Sequence, residues 1–359
     1  AVPRFMTRRR RLAGVLLASG LLLLIEGCYY MQAIRGHSDL MSRRRPVDEV
    51  IADEASPEEL RKKLALVQEA RDFAVDELML PDNDSYRSYA DLERDYVVWN
   101  VFAAPEFSLE PKTWCYPVAG CVAYRGYFKE SSAREMGEKL EGQGYDVAIG
   151  GVAAYSTLGR FDDPLLNTMM RWSDVDLVAT MFHELAHQKL YIKDDSGFNE
   201  SFATAVAEIG VARWLDRTGE LDRLAAYEDY RELRFAMQSL VAPARSALRQ
   251  LYRSVPDPDA LSDAKLQTLR SRKRAILDRL SDDAAELIDA DGRGLRNWLA
   301  APLNNAKLVS TNLYQGRVEA FKAIYDACEQ ALPCFYQRTV ALSELDSGAR
   351  RRALDAAAD

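Results

Sequence analysis

Met181-Phe182-His183-Glu184-Leu185-Ala186-His187-Gln188 is followed, after a short polar stretch, by Phe198-Asn199-Glu200-Ser201-Phe202-Ala203. On an α-helix, residues four apart stack on one face, so His183 and His187 would present two imidazoles to the same point. Imidazoles at that spacing can grip one metal ion, and Glu184, one step round, can reach a water bound to it. Three protein ligands with an open fourth position describe a catalytic zinc site rather than a closed structural one. The chain has three histidines, and the third, His37, lies in an N-terminal segment that reads as membrane-proximal. The third ligand is therefore expected to be a carboxylate. Glu200 is the best placed, because it opens a second helical pattern (Glu200, Ala203, Ala207, Val211). The loop Lys193-Asp194-Asp195-Ser196-Gly197 lets that helix fold back beside the first. Glu208, two turns further along, competes for the role, with Asp194 and Asp195 behind it.

Plainer readings exist for each part. A His-Glu-x-x-His pentamer arises by chance, and a Glu near a helix start complements the helix dipole. Uncharged Leu185 and Ala186 and the apolar flanks Met181, Phe182 and Leu190 favour the metal helix.

The chain has 359 residues, 48% hydrophobic and 28% charged, the balance of a globular protein with a real core. A net charge of −8 argues against nucleic acid as a partner. No Gly-rich phosphate loop or dinucleotide fingerprint is present.

Arg8 to Arg11 form a basic flank, and Leu12 to Ile25 an apolar run ended by Glu26. The run is short for a bilayer span of ~20 residues and suits the core of an export signal over residues 1–27. Its end, Leu24-Ile25-Glu26-Gly27-Cys28, resembles a bacterial lipoprotein box, although Glu26 replaces the usual small residue. Lipidation of Cys28 would tether the mature chain to a membrane facing the periplasm. Tyr30, where Asp would signal inner-membrane retention, favours the outer membrane. The alternative is an uncleaved signal anchor. Apart from Cys28, the cysteines form two close pairs, Cys115/Cys121 and Cys328/Cys334. Two local disulfides are expected in an oxidising compartment, although four cysteines allow three connectivities.

Residues 28–55 read as a lipidated tether or amphipathic helix. A catalytic core over 56–219 opens on a capping box, Ser56-Pro57-Glu58-Glu59, and a helix that Pro81 ends. Strands are predicted at Tyr96–Phe102 and within Thr113–Phe128, and a short helix from Ser131 to Leu140. Tyr145 to Thr157 is the last strand before the metal helix, which Ser173-Asp174 can cap. The small residues Gly151, Val152, Ala153 and Ala154 would let a peptide substrate approach as an added strand. An ordinary strand bulged at Gly150-Gly151 explains them equally well. Residues 220–345 read as helical, with a long antiparallel hairpin broken at Pro256-Asp257-Pro258, and residues 346–359 as a frayed tail. The fold class is therefore α+β and predominantly helical.

With His183-Glu184-x-x-His187 and Asn199-Glu200-x-x-Ala203, the chain resembles the gluzincin metallopeptidases, most closely a bacterial family of predicted zinc aminopeptidases that carry lipoprotein signals. The likeness includes Tyr29-Tyr30-Met31-Gln32-Ala33, Arg125-Gly126-Tyr127-Phe128, Gly151-Val152-Ala153-Ala154-Tyr155-Ser156-Thr157-Leu158-Gly159 and Asn304-Asn305-Ala306. The resemblance implies a zincin-like catalytic domain, one zinc ion on His183, His187 and Glu200, and Glu184 as general base. The Gly-x-Met-Glu-Asn element that holds a free amino terminus in large zinc aminopeptidases has no counterpart, which leaves exopeptidase and endopeptidase both open. Tyr155 and Tyr314 are candidate donors to the carbonyl oxygen of the scissile bond. A reading from another class is a non-catalytic envelope lipoprotein acting as a binding or assembly factor.

Overall fold

The computed structural model describes residues 29–116, 120–255, 257–288, 296–311 and 317–358. The expected export signal, the lipidation site Cys28 and the candidate Tyr314 lie outside them. The first described element is a helix, α1 (residues 29–42). It leads through β1 (Arg44–Pro46) into α2 (Val47–Ala52). Leu40, Val47 and Val50 are buried in the main core, so the segment read as a tether or helix is a docked part of the fold. Next comes α3 (Glu58–Asp76), which follows Pro57 with no side-chain cap; the predicted capping box does not form. Proline's fixed φ already suits the helix entry, and Leu64, Val67, Ala70, Phe73 and Ala74 give α3 its buried face.

The strands are β2 (Ser88–Ala90), β3 (Val98–Pro105), β4 (Trp114–Tyr116), β5 (Gly120–Val122) and β6 (Tyr124–Tyr127); after α4 (Glu130–Glu141) come β7 (Tyr145–Val152) and β8 (Leu165–Leu166). β3 is central, with β6 and β7 antiparallel on either side, which leaves β7 at the edge of that sheet. α4 covers one face through Ala133 and Leu140, packed on Val101, Ala103 and Tyr127. The β3–β7 ladder runs unbroken through Gly150 and Gly151, opposite Asn100 and Trp99, so there is no bulge there. Cys115 and Cys121 face each other across β4 and β5 and are disulfide-bonded. The second expected disulfide, Cys328–Cys334, is also present.

The metal-motif helix is α5 (Asp174–Lys189), and α6 (Ser196–Thr218) lies against it. Their contact is close because position 210 is glycine: a Cβ there would fall 2.7 Å from both Leu78 and Phe182 side-chain atoms. The predicted hairpin is α7 (Asp222–Arg253) and α8 (Asp263–Ile288), joined by its own core of Val241, Leu248, Leu251, Leu269, Leu277 and Leu280. The chain closes with α9 (Arg296–Leu299), α10 (Asn305–Ser310), α11 (Val318–Asp326), α12 (Leu332–Ser343) and α13 (Ser347–Ala358). α13 replaces the expected frayed tail, because Arg350 and Leu354 are buried and anchor it. The chain is predominantly helical with small sheets, in keeping with the α+β expectation.

Candidate metal centre

α5 begins where Ser173 Oγ accepts a hydrogen bond from Asp176 N at 3.1 Å, and Asp174 and Asp176 in its first turn complement the helix dipole. Val178, Met181, Phe182, Leu185 and Ala186 bury its apolar face, which turns His183 and His187 toward α6. α6 starts earlier than the sequence pattern suggests. Asp195 caps it by accepting from Phe198 N at 3.1 Å, so Glu200 sits inside the helix rather than at its opening.

Asn199 fixes the approach of the two helices. Its buried amide donates to Ile192 O at 2.7 Å and accepts from Ile192 N at 2.8 Å, pinning the loop between α5 and α6. Arg350 holds the same loop from outside, donating to Asp195 Oδ2 at 2.8 Å and to the carbonyls of Ser343 and Leu345. Neither role has a local sequence signal: Asn199 is visible only as half of a motif, and Arg350 sits in a stretch expected to fray.

The three expected ligands converge. His183 Nε2 and His187 Nε2 are 3.1 Å apart, and Glu200 oxygens lie 3.3 Å from the first and 3.6 Å from the second. Ligand atoms held at 2.0–2.1 Å around a tetrahedral zinc are about 3.3 Å from one another. The trio therefore matches one face of such a tetrahedron, and two imidazoles with one carboxylate are the donor types zinc accepts. Among the described residues no other group of His, Cys, Asp and Glu converges in this way. Glu208 does not compete, since it pairs with Arg231 and stands 3.8 Å from Lys322.

The electrostatics suit ligation. Burial, deepened by the neighbouring His183, lowers the His187 pKa to about 4, with Glu200 acting against it, so the ring stays neutral as a ligand must. For Glu200, burial pushes the pKa up, but the hydrogen bond from His183 and the electrostatic influence of the two neighbouring imidazoles outweigh it and hold the group below its ordinary value. Glu184 moves the other way. Burial raises its pKa, opposed by His183 and by a hydrogen bond from Ser156 and reinforced by Glu200 and Asp163. A carboxyl with a raised pKa suits a group that must take a proton and return it.

His183 and Glu200 open into a cleft of ≈ 1270 Å³, whose lining also includes Glu208, Gly151 of the edge strand, and Tyr227 and Arg231 of α7. The remaining expected site residues divide. Gly151 reaches the cleft. Val152 ends β7, with its carbonyl accepting from Val97 N at 2.8 Å. Ala153 is buried and its carbonyl accepts from Thr168 Oγ1, so that backbone group is not free for a ligand. Ala154 packs against the main core. Tyr155 turns its hydroxyl to His37 Nδ1 at 3.3 Å and its ring to Phe128.

A family model described as "Putative aminopeptidase" matches residues 28–354. The chain belongs to that family. Membership places it among the peptidases at a coarse level, and the match spans the sheet, the metal-motif helices and most of α13. No curated protein and no solved structure matches the chain. Among the described residues, no helix is long and apolar enough to cross a membrane.

Proposed function

We propose that this member of the aminopeptidase family is a gluzincin-type, single-zinc metallopeptidase with a zincin-like catalytic domain, acting as an aminopeptidase on peptides in the cell envelope. The observation that carries the reading is the meeting of His183, His187 and Glu200 within a few ångströms, with Glu184 beside them on α5. Zinc bound there would lower the pKa of a coordinated water to ~7 and polarise the scissile carbonyl. Glu184 would act as the general base, accepting a proton from the attacking water and returning it to the leaving amine. Tyr155 and Tyr314 remain the proposed donors to the carbonyl oxygen, and Tyr155 could serve only by releasing His37.

The edge strand supplies the peptide-binding element of the reading. Val147 O accepts from Asn304 Nδ2 at 2.8 Å on the side away from β3. Backbone groups alternate along a strand, so Ile149 and Gly151 turn their N–H and C=O to that same free edge. An extended peptide paired there would run toward the cleft. Gly151 is glycine for a second reason: a Cβ would lie 2.3 Å from the Tyr96 ring. Of the four small residues expected to bind substrate, Gly151 is the one this reading retains for backbone pairing.

The two disulfides support residence in an oxidising compartment, here the periplasm, with Cys28 as lipid anchor in the outer membrane. The test is Glu184→Gln. We expect zinc to stay bound while hydrolysis of aminoacyl and internally quenched peptides is lost. Retained hydrolysis would overturn the mechanism. Cleavage of the internally quenched peptides alone by the unaltered chain would make it an endopeptidase instead. Chelator-insensitive inertness with bound peptide would favour a binding lipoprotein.

A further inference from the structure

α1 presents two unlike faces. Tyr29, Gln32 and Leu40 fall on the inward one, at helical spacing. Gln32 Nε2 donates to Gly126 O at 3.3 Å and its Oε1 accepts from Phe128 N at 3.2 Å, which fastens the helix to the end of β6. Tyr29 stacks on Tyr116 at 5.5 Å, meets Tyr127 edge-on at 5.8 Å, and has the Arg125 guanidinium 4.0 Å from its ring centre. Further along, His37 Nδ1 meets the Tyr155 hydroxyl at 3.3 Å and Leu40 is fully buried. From Tyr29 onward, α1 is therefore part of the rigid body.

The outward face changes character along its length. Tyr30, Met31 and Ile34, neighbours at three- and four-residue spacing, are 36%, 47% and 60% exposed. Ser38, Asp39 and Ser42 continue the same face and are polar. A single exposed apolar residue needs no explanation, whereas three side by side point to a partner. Charge follows the same gradient. Residues 27–38 contain no Asp or Glu in a chain of net charge −8, and Arg35 adds a cation at the rim. The neighbouring sequence says what covers this face. Residues 12–25 are an apolar run, and Cys28 adjoins Tyr29. On the envelope reading the chain meets the bilayer there, whether the signal is cleaved and Cys28 lipidated or the run is retained. Adjacent Cα atoms are ~3.8 Å apart, so a body pinned at Tyr29 has no slack to swing clear.

We propose that the outward face of the first two turns of α1, Tyr30, Met31 and Ile34 with Arg35 at the rim, seats in the lipid headgroup layer of the membrane. Apolar side chains on such a face settle about 5–10 Å into the boundary between headgroups and acyl chains. Tyrosine favours that level, and arginine pairs with lipid phosphate. Ser38, Asp39 and Ser42 stay in water, so α1 enters at a tilt and the body lies against the membrane instead of hanging from a tether. The inference rests on the membrane anchor proposed above. The full chain is reconstituted in vesicles of phosphatidylethanolamine and phosphatidylglycerol doped with phospholipids brominated along the acyl chain. Ile34→Trp and Ser42→Trp are compared after subtracting the emission of the unaltered chain. These positions are eight residues apart, ~12 Å along the helix. Bromine should quench Ile34→Trp severalfold more than Ser42→Trp, most strongly from the shallowest position. Equal quenching of the two, or none at Ile34→Trp, overturns the proposal. Shielding of Ile34→Trp from aqueous iodide before vesicles are added would give the face to a second copy of the chain and overturn it as well. Intact-mass analysis reads the anchor separately. A chain with neither lipid on Cys28 nor residues 12–25 removes the anchor reading, and quenching in the same vesicles then decides the face on its own.

Discussion

Replacing Asn199 by alanine should disturb the metal centre without touching a ligand. The buried Asn199 amide satisfies both Ile192 N and Ile192 O, at 2.8 and 2.7 Å, in the half-buried loop between α5 and α6. Truncation strands one donor and one acceptor, each worth about 1–3 kcal/mol when left unpaired in the interior. Water entering the space recovers part of this, so a net loss of roughly 2–4 kcal/mol is expected. With an unfolding entropy of ~2 cal/mol/K per residue, that loss corresponds to a fall in Tm of roughly 3–6 °C for a chain of this size. Metal affinity should fall too, because Glu200 is the next residue and its distance to His183 depends on the same loop. Asn199→Asp separates the two bonds: the carboxylate still accepts from Ile192 N but opposes Ile192 O with a lone pair. Differential scanning calorimetry in chelator, with zinc titration of the same samples, reads both effects. If Asn199→Ala melts and binds zinc as the unaltered chain does, the amide clamp does not set the ligand geometry.

Glu208 gives a pH signature. Burial raises its pKa to about 7 despite Arg231 and Lys322. A folded-state value above the unfolded one means that stability is fullest below the unfolded pKa, near 4.5, and declines as pH rises toward 7. Glu208→Gln removes that decline, so its Tm relative to the unaltered chain should improve between pH 5 and pH 8. The full shift corresponds to about 3 kcal/mol, and a pH-independent difference would refute it. Arg350→Ala breaks the link from α13 to Asp195. We expect a loss of about 2–3 kcal/mol, below the 3–5 kcal/mol of a fully buried pair because Asp195 retains some exposure. Faster proteolysis within residues 191–196 should accompany it, and wild-type resistance there would contradict the anchoring role.

What could be read in advance follows from the range of each interaction. The four-residue spacing of His183 and His187 is a property of one helix, so the pair was visible locally. The α7–α8 hairpin and the two disulfides were legible for the same reason. Glu200 was found by elimination, yet its place inside α6 was missed because the Asp195 cap lies upstream of the apolar pattern. The Ser56 capping box failed because Pro57 already sets the helix entry. α13 looked small and charged, and only the three-dimensional pairing of Arg350 with Asp195 shows why it is ordered.

The most direct test of the metal centre is elemental analysis of the purified chain beside its Glu200→Gln and His187→Ala variants. Close to one zinc per chain is expected, falling well below that in both variants while each remains folded by circular dichroism. Equal zinc in all three, or none in the unaltered chain after growth and refolding with zinc, would mean that His183, His187 and Glu200 do not form a metal site.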